Sequence, residues 1–376
     1  MQVTMVNKYY PPHLGGIEFH LRDLSTALAA RGHHVRALVA NEASDTVREQ
    51  VDGVEVTRLG RTFAYSSTPV ALGMYGAIRS QSFGESPADL LHLHFPYPWG
   101  EVSWLAAKPG LPTVLTYHSD IVRQKTMLAA YAPLLRRVLD RVDLIIASSP
   151  DMVEHSPFLS RVAEKCRVVP FGIDVDRFDL SGEAAARAVL IRAAHVRPVV
   201  LFVGRLVYYK GVDVLVEAMA SVDADLVIVG SGPLEAQLKA RILALGMQER
   251  TLMMPKLSAA ELAAWFNAAD VFCLPSVARS EAFGLVQLEA HASGTPVVST
   301  RLTTGVPFVN QDGVTGLTVT PGSVEELAEA LSRLVAEESL RKRLGTQARE
   351  RVRAEFTIER MVEQTLAVYD EAMGVA

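Results

Sequence analysis

The sequence predicts an α/β protein made of two doubly wound, Rossmann-like domains. Segments typical of buried strands alternate with helical segments, which indicates parallel sheets with crossover helices. At 376 residues, of which 49% are hydrophobic, the chain exceeds what one hydrophobic core usually organises. The stretch at 171–197 contains two glycines and a short Ala-rich helical part. It separates two alternating series and is the expected connection between the domains.

The first series opens with an apolar strand at 2–6 and a loop that contains paired prolines and paired glycines. A helix follows at about 17–31, and Gly32 ends it. Apolar runs predict the remaining strands of this half at 34–40, 90–94, 112–117, 143–147 and 167–170.

The second series has the same alternation and is followed by a helical tail. Its strands are predicted near 198–203, 225–229, 251–254, 271–274 and 296–299. Its helices are predicted near 211–220, 233–246, 258–268 and 284–293, and the tail at 323–336, 338–354 and 356–373.

Charge and cysteine content exclude several functions without selecting one. The chain has 37 Lys and Arg against 42 Asp and Glu, so its net charge of −5 gives no electrostatic basis for binding nucleic acid. Cys166 and Cys273 lie far apart and outside any metal-binding pattern, so we expect buried thiols and no metal site. Without a secretory signal pattern or an apolar run long enough to span a bilayer, a cytoplasmic location is expected.

The segment at 280–299 has the pattern of a nucleotide-sugar site. Its turn precedes a helix, where the backbone N–H groups of Phe283, Gly284 and Leu285 favour an anion such as a diphosphate. Glu281 precedes the turn and Glu289 lies about two helical turns further on, so both carboxylates suit the hydroxyl groups of a sugar or ribose. Alternatively, Glu281 is a charge partner of the helix N-terminus and Glu289 a solvated helix residue.

A second segment, at 204–211, carries two cations in a loop that leaves the predicted strand at 198–203. Arg205 offers a planar fork of donors and Lys210 a point charge. Together they can neutralise a diphosphate whose charge grows as its bond to a sugar breaks. Both could instead be solvated loop residues, but the anion-binding helix terminus in the same half of the chain favours the diphosphate.

These motifs together resemble the retaining glycosyltransferases of family 4, which have the GT-B fold of two Rossmann-like domains facing across a cleft. The resemblance covers nearly the whole chain and implies that Arg205 and Lys210 bind the donor diphosphate, Glu281 contacts the transferred sugar and Glu289 contacts the ribose. It also implies an acceptor domain at 1–175, a donor domain at 176–355, and a last helix at 356–376 that crosses back to the first domain. The motifs that carry it are Gly15-Gly16, His118, 170–174, Gly204-Arg205 with Lys210, 230–233, and Glu281 with Glu289.

Two candidates in the first half complete the predicted site. The family places Gly15 and Gly16 beside the donor diphosphate and the acceptor, although such a turn can also lack any ligand. His118 follows the predicted strand at 112–117, and the family places the matching histidine near the transferred sugar. An isolated histidine is more often a structural hydrogen-bonding group, so we expect His118 to position substrate without transferring a proton.

The resemblance implies transfer of a hexose from a nucleoside diphosphate sugar to an acceptor hydroxyl, with attack on the same face as the departing diphosphate. The stretches at 117–125 and 304–310 are similar to bacterial mannosyl- and rhamnosyltransferases of polysaccharide biosynthesis. GDP-mannose is therefore the first expected donor, and a glycan or lipid-linked saccharide the acceptor. A UDP-sugar remains open because base recognition depends on loop residues such as Lys256, and no cofactor is expected. A sugar-nucleotide epimerase and a non-catalytic sugar-nucleotide-binding protein are the two other classes that remain open.

Basic residues around an apolar stretch at 127–139 raise the question of membrane contact. An amphipathic helix of this kind could touch the inner face of the plasma membrane. An ordinary surface helix with arginines on its wet face is the preferred alternative. The basic residues are Arg123, Lys125, Arg136, Arg137 and Arg141.

Overall fold

The computed structural model describes residues 1–13, 15–65, 68–84, 86–121 and 125–375, with the backbone alone at 65 and 125–130. The chain separates into two compact units. Unit 1 consists of residues 1–172 and 358–376, and unit 2 of residues 173–357.

The first unit contains an eight-stranded sheet and a separate two-stranded ribbon. In the large sheet the strand order is β10-β9-β8-β7-β1-β2-β4-β3, and every pair is parallel except β3 with β4. The strands of unit 1 are β1 Gln2–Val6, β2 His34–Ala40, β3 Val47–Val51, β4 Val54–Leu59, β5 Phe63–Tyr65, β6 Thr68–Val70, β7 Leu90–Phe95, β8 Thr113–Tyr117, β9 Leu144–Ala147 and β10 Cys166–Val168.

The second unit contains a fully parallel six-stranded sheet in the order β13-β12-β11-β14-β15-β16. Its central strands are buried apolar runs, as expected for a parallel sheet covered on both faces. The strands of unit 2 are β11 Val199–Val203, β12 Asp225–Val229, β13 Thr251–Met254, β14 Val271–Leu274, β15 Val297–Thr300 and β16 Gly316–Val319.

Helices connect the strands in both units, and the last helix belongs to the first unit. The helices are α1 Gly16–Ala30, α2 Gly73–Phe83, α3 Pro98–Ala107, α4 Lys125–Arg141, α5 Pro150–His155, α6 Gly182–Ala193, α7 Val212–Met219, α8 Glu235–Ala244, α9 Ala259–Ala268, α10 Leu285–Ala292, α11 Gly305–Val309, α12 Val324–Ala336, α13 Glu338–Glu355 and α14 Ile358–Met373. In unit 1, Leu21 and Leu28 of α1 share a buried cluster with Val362 and Tyr369 of α14.

The predicted strands and helices are all present, with bounds that differ by a few residues. The α/β, doubly wound class is therefore confirmed. The antiparallel β3–β4 hairpin was not predicted, although Asp52 and Gly53 form its turn with φ values of 49° and 82°. An Asp-Gly pair directly between two short segments that contain valines is a recognised hairpin signal, and it could have been used here.

Candidate active site

Most of the predicted donor-binding residues of unit 2 lie in loops at the carboxyl ends of its parallel strands, where ligands of such sheets bind, whereas Leu285 and Glu289 lie in α10. The loop after β11 packs against the loop after β12, and Leu206 N donates a hydrogen bond to Ser231 O across this contact at 2.9 Å. The contact is so close that a Cβ atom at Gly230 would lie 2.0 Å from Gly204 O. Glycine is therefore required there for backbone to approach backbone.

Lys210 and Glu281 form an ion pair at the centre of this site. Lys210 Nζ lies 2.5 Å from Glu281 Oε2, and the two side chains are only 12% and 10% exposed. Ser276 Oγ donates to the same carboxylate oxygen at 3.0 Å. The two residues had been predicted as separate contacts, to diphosphate and to sugar, whereas the structure pairs them. Ser276, which lies two residues after β14, was not predicted.

The backbone conformation of Gly211 positions the turn that carries Lys210. Lys210 ends a short 3₁₀ turn at Tyr208–Lys210, and Gly211 follows with a left-handed φ of 63°. A Cβ atom at Gly211 would lie 2.1 Å from Pro275 O, so the turn can pack against the loop after β14 only with glycine. Val277 N donates to Tyr209 O at 2.8 Å and completes this contact.

Arg205 and Lys256 differ from Lys210 in being exposed. Within the described residues neither side chain makes an ion pair or a hydrogen bond. Arg205 precedes the turn that holds Lys210, whereas Lys256 follows β13. Arg205 is therefore the cation in this loop whose hydrogen-bonding capacity remains available to an anion.

The predicted anion-binding turn lies at the N-terminus of α10. Gly284 precedes the helix with a φ of 74°, and a Cβ atom there would lie 2.7 Å from Leu274 Cδ2. No side chain caps this terminus, and in the described part of the chain the N–H groups of Gly284 and Leu285 donate no hydrogen bond. Phe283 is buried beside them. The terminus therefore offers donors and a favourable dipole to a negative group.

Glu289 lies in α10 and is partly buried. Burial raises the pKa of its carboxyl group to about 7, and the charge of Arg177 opposes that rise. His291 is fully buried two residues later, and burial lowers the pKa of its imidazole to about 3. At physiological pH His291 is therefore neutral and Glu289 is divided between its neutral and ionised forms, in contrast to the charged pair of Lys210 and Glu281.

In unit 1, Gly15 and Gly16 form the start of α1. Gly15 has extended backbone, and a Cβ atom there would lie 2.1 Å from Oε2 of Glu18. Glu18 is 9% exposed, so a buried carboxylate rests against this helix terminus. A diphosphate at Gly15 would meet that negative charge. The predicted role of the two glycines beside the donor stays a prediction.

His118 directly follows β8 and is 4% exposed. Its Nε2 lies 3.0 Å from Nδ1 of His94, and its ring contacts His20 edge-on at a centroid distance of 5.0 Å. Burial lowers the pKa of His118 well below its ordinary value, and the neighbouring His20 and His92 act in the same direction. His118 is therefore neutral at physiological pH, which agrees with a positioning role.

The histidines around His118 were not predicted. His92 and His94 alternate with leucines in β7, so they share one face of the strand by its two-residue period. That alternation is a signal available in the sequence. One nitrogen each from His20, His94 and His118 lies within 4.8 Å of the others, which makes these residues the described group with the spacing of a metal site. The predicted absence of a metal stays a prediction.

The basic helix α4 is present, but Arg123 and the side chain of Lys125 lie outside the described residues. In its described part Leu135, Val138 and Leu139 are buried within unit 1, and the arginines at 136, 137 and 141 are exposed. This is the pattern of an ordinary surface helix. Among the described residues, no helix combines the length and the apolar character needed to cross a membrane.

Two family descriptions match the chain. "Glycosyltransferase Family 4" matches residues 14–177 and "Glycosyl transferases group 1" matches residues 191–351. O-antigen chain mannosyltransferase C of Escherichia coli is 33% identical over 98% of both chains. D-rhamnosyltransferase WbpZ of Pseudomonas aeruginosa is 32% identical over 93% of this chain and 90% of its own. Among solved structures, sucrose-phosphate synthase from Thermosynechococcus elongatus is similar with a TM-score of 0.82 and 25% identity over the whole of both chains.

Proposed function

The chain belongs to the glycosyltransferases of family 4, which have the GT-B fold, and on this premise we propose that it moves mannose from GDP-mannose to a saccharide hydroxyl with retention. The acceptor is a glycan or lipid-linked saccharide of cell-surface polysaccharide, and the reaction takes place in the cytoplasm or at the inner face of the plasma membrane. The names of the relatives support this choice, because one is an O-antigen mannosyltransferase and another a rhamnosyltransferase.

The observation that carries the proposal is the ion pair of Lys210 and Glu281, together with the exposed Arg205 and the uncapped N-terminus of α10. Such a site offers cations and N–H groups to a diphosphate and a carboxylate to hydroxyl groups. Donor binding introduces a second anion, so Lys210 then serves both Glu281 and the phosphate. Glu281 accepts hydrogen bonds from the sugar, held in position by Lys210 and Ser276.

Bond breaking moves negative charge onto the departing diphosphate while positive charge develops on the sugar. Arg205, Lys210 and the α10 terminus stabilise the first charge, and the carboxylate of Glu281 stabilises the second. The acceptor attacks on the same face, and its proton passes to the leaving phosphate. This route needs neither a protein nucleophile nor a charged histidine, in agreement with the neutral state of His118.

The first experiment is a thermal-shift and calorimetric screen of GDP, UDP, dTDP and their sugar conjugates, without metal and then with Mg²⁺. We expect metal-free binding of GDP and GDP-mannose. Selective binding of UDP would replace the mannose proposal by a UDP-sugar-dependent transferase of the same fold. If none of them bound, the assignment of a donor site to unit 2 would be wrong.

The second experiment supplies the bound donor with saccharide acceptors and determines the anomeric configuration of the product by NMR. Transfer with the α-configuration of GDP-mannose preserved is the expected result. An inverted product would contradict retention. Isomerisation of the donor sugar without any acceptor would identify an epimerase. Donor binding without any turnover would identify a non-catalytic binding protein.

A further inference from the structure

Two buried imidazoles in unit 1 face each other through one hydrogen bond. His94 Nδ1 and His118 Nε2 are 3.0 Å apart, and the rings are 2% and 4% exposed. Burial lowers the pKa of both groups well below the ordinary value. Both rings are therefore neutral, and each carries one N–H and one bare nitrogen. One proton lies between the two facing nitrogens, and its position fixes the tautomer of both rings.

Two arrangements satisfy this hydrogen bond. In the first, His94 donates from Nδ1, so His118 carries its own proton on Nδ1 and Nε2 of His94 is bare. In the second, His118 donates from Nε2, so its Nδ1 is bare and Nε2 of His94 carries the proton. The arrangements therefore present opposite hydrogen-bonding groups at Nδ1 of His118, one a donor and the other an acceptor.

The environment of His94 distinguishes the two arrangements. Its Nε2 atom is enclosed and has no hydrogen-bond partner among the described residues. In the second arrangement that atom is a buried N–H without an acceptor, which is among the rarest conditions in folded proteins. In the first arrangement it is a bare lone pair, which is tolerated more readily. Nδ1 of His118 likewise has no hydrogen-bond partner in the described part of the chain, but unlike Nε2 of His94 it is not among the enclosed atoms.

We propose that His94 is a positioning residue that holds His118 as the Nδ1–H tautomer, so that His118 presents a neutral hydrogen-bond donor to an oxygen atom of the substrate. The contact with substrate rests on the proposed transferase function, whereas the tautomer does not. The oxygen belongs to a saccharide substrate.

The neighbouring ring of His92 restrains His94. The ring of His92 lies 4.3 Å from that of His94 between centroids, and both nitrogens of His92 are held by hydroxyl groups. Nδ1 of His92 lies 2.6 Å from Tyr369 Oη, and Nε2 lies 2.7 Å from Thr116 Oγ1. Tyr369 thereby connects α14 to the histidines of β7. The ring of His92 cannot turn without breaking its hydrogen bonds to the two hydroxyl groups, and the ring of His94 cannot turn without breaking its hydrogen bond to His118.

The direct test is ¹⁵N NMR of histidine-labelled full-length protein, with long-range correlations that report which ring nitrogen carries the proton. Signals are assigned by single replacements, including His155→Asn on the exposed end of α5 as a matched control. We expect His118 to carry its proton on Nδ1 and His94 to carry its own on Nδ1. A proton on Nε2 of His118 would overturn the proposal, whether or not the protein transfers any sugar.

Metal analysis of the purified protein provides an independent check. His20, His94 and His118 have nitrogens close enough to ligate one ion, and imidazole suits zinc and related metals. Metal-free protein with the NMR pattern above supports a hydrogen-bonded pair. One equivalent of tightly held zinc that replaces the His94 to His118 hydrogen bond would overturn the proposal.

Kinetics test the consequence for substrate. In His94→Asn an amide N–H can replace the ring Nδ1–H, whereas His94→Leu has no donor. We expect His94→Leu to lower kcat by about 10-fold or more with little change in the donor KM, and His94→Asn to recover most of that loss. Equal losses in both variants, with unchanged fold by circular dichroism, would contradict the tautomer role.

Discussion

The candidate site residues of the two units differ in their charge. Unit 2 pairs opposite charges, with Lys210 and Glu281 held together beside an exposed Arg205. Unit 1 buries neutral imidazoles, and burial lowers the pKa of His20 and His92 to about 3 and those of His94 and His118 well below 6.5. The charged groups of this comparison therefore lie in unit 2 and the neutral imidazoles in unit 1, which fits the proposed division between binding a leaving diphosphate and directing a hydrogen bond.

The largest effect expected from this contrast is loss of stability in mild acid. Four buried histidines of unit 1, namely His20, His92, His94 and His118, stay neutral in the folded state, but each binds a proton below its ordinary pKa of about 6.5 once unfolded. The unfolded state thus holds more protons, so the free energy of unfolding falls as the pH drops below 6.5. We expect a loss of several kcal/mol between pH 6.5 and 5, measured by urea unfolding.

His92→Gln tests whether the buried imidazoles cause this loss of stability in acid. Removing one of the buried imidazoles should reduce the pH dependence by up to about 1.4 kcal/mol per pH unit. His155→Gln, a replacement of an exposed histidine, should leave the curve parallel to that of the unaltered protein. Parallel curves for His92→Gln as well would show that the imidazoles of unit 1 do not set the acid response.

Glu281→Gln should give the largest change in catalysis. The amide keeps the size of the side chain and a hydrogen bond to Ser276, but it removes the carboxylate that we propose to stabilise positive charge on the sugar. We expect kcat to fall by about 10²–10³-fold, with donor affinity changed much less. Glu249→Gln at an exposed site is the control. Unchanged kcat would show that Glu281 serves only as the partner of Lys210.

Lys210→Ala should affect both activity and stability. Loss of one charge-assisted contact to the diphosphate is expected to lower kcat/KM by about 10- to 100-fold. It also leaves Glu281 buried without its counter-charge, which lowers the free energy of unfolding by about 3 kcal/mol.

The double variant with Glu281→Gln separates these two consequences of losing Lys210. It should recover part of the stability but none of the activity. Equal stability of the single and double variants would mean that the unpaired carboxylate of Glu281 does not destabilise the folded protein. Normal kinetics in a folded Lys210→Ala protein would remove Lys210 from the donor site.

The fold and the positions of the unit 2 residues were predictable because both follow from local pattern. Buried strands are apolar runs, and a loop after a parallel strand must lie at its carboxyl end, so Arg205, Lys210 and Glu281 could be placed near one another. The prediction of a family 4 glycosyltransferase with the GT-B fold is confirmed by the matched families and relatives.

The partners of the site residues were not predictable in the same way. The pairing of Lys210 with Glu281 depends on how two distant loops pack, which no local spacing encodes. The approach of Glu18 to Gly15 depends on a side-chain rotamer within the first turn of α1. Likewise, the bond from His94 to His118 requires the register of β7 with β8. Tertiary contacts of this kind decide which groups are charged, and the sequence shows only that they are present.

The smallest expected effect concerns Glu289, and its sign is opposite to that of the histidines. Burial raises the pKa of this carboxyl group to about 7 in the folded state, above its ordinary value of 4.5. The folded state therefore holds the extra proton, and stability present at low pH is lost as the pH rises from about 4.5 through 7. Because the side chain is only partly buried, we expect a contribution of about 1–2 kcal/mol, which Glu289→Gln removes.

The same carboxyl group should couple nucleotide binding to protons. We expect ribose hydroxyls to donate to the ionised form of Glu289, so nucleotide binding at pH 6 should release a proton from it and affinity should rise up to several-fold between pH 6 and 8. Calorimetry in buffers of different ionisation enthalpy measures this release, and Glu289→Gln should abolish it. Proton release that persists in Glu289→Gln would place the titrating group elsewhere, and its absence in the unaltered protein would mean that the ribose does not contact Glu289.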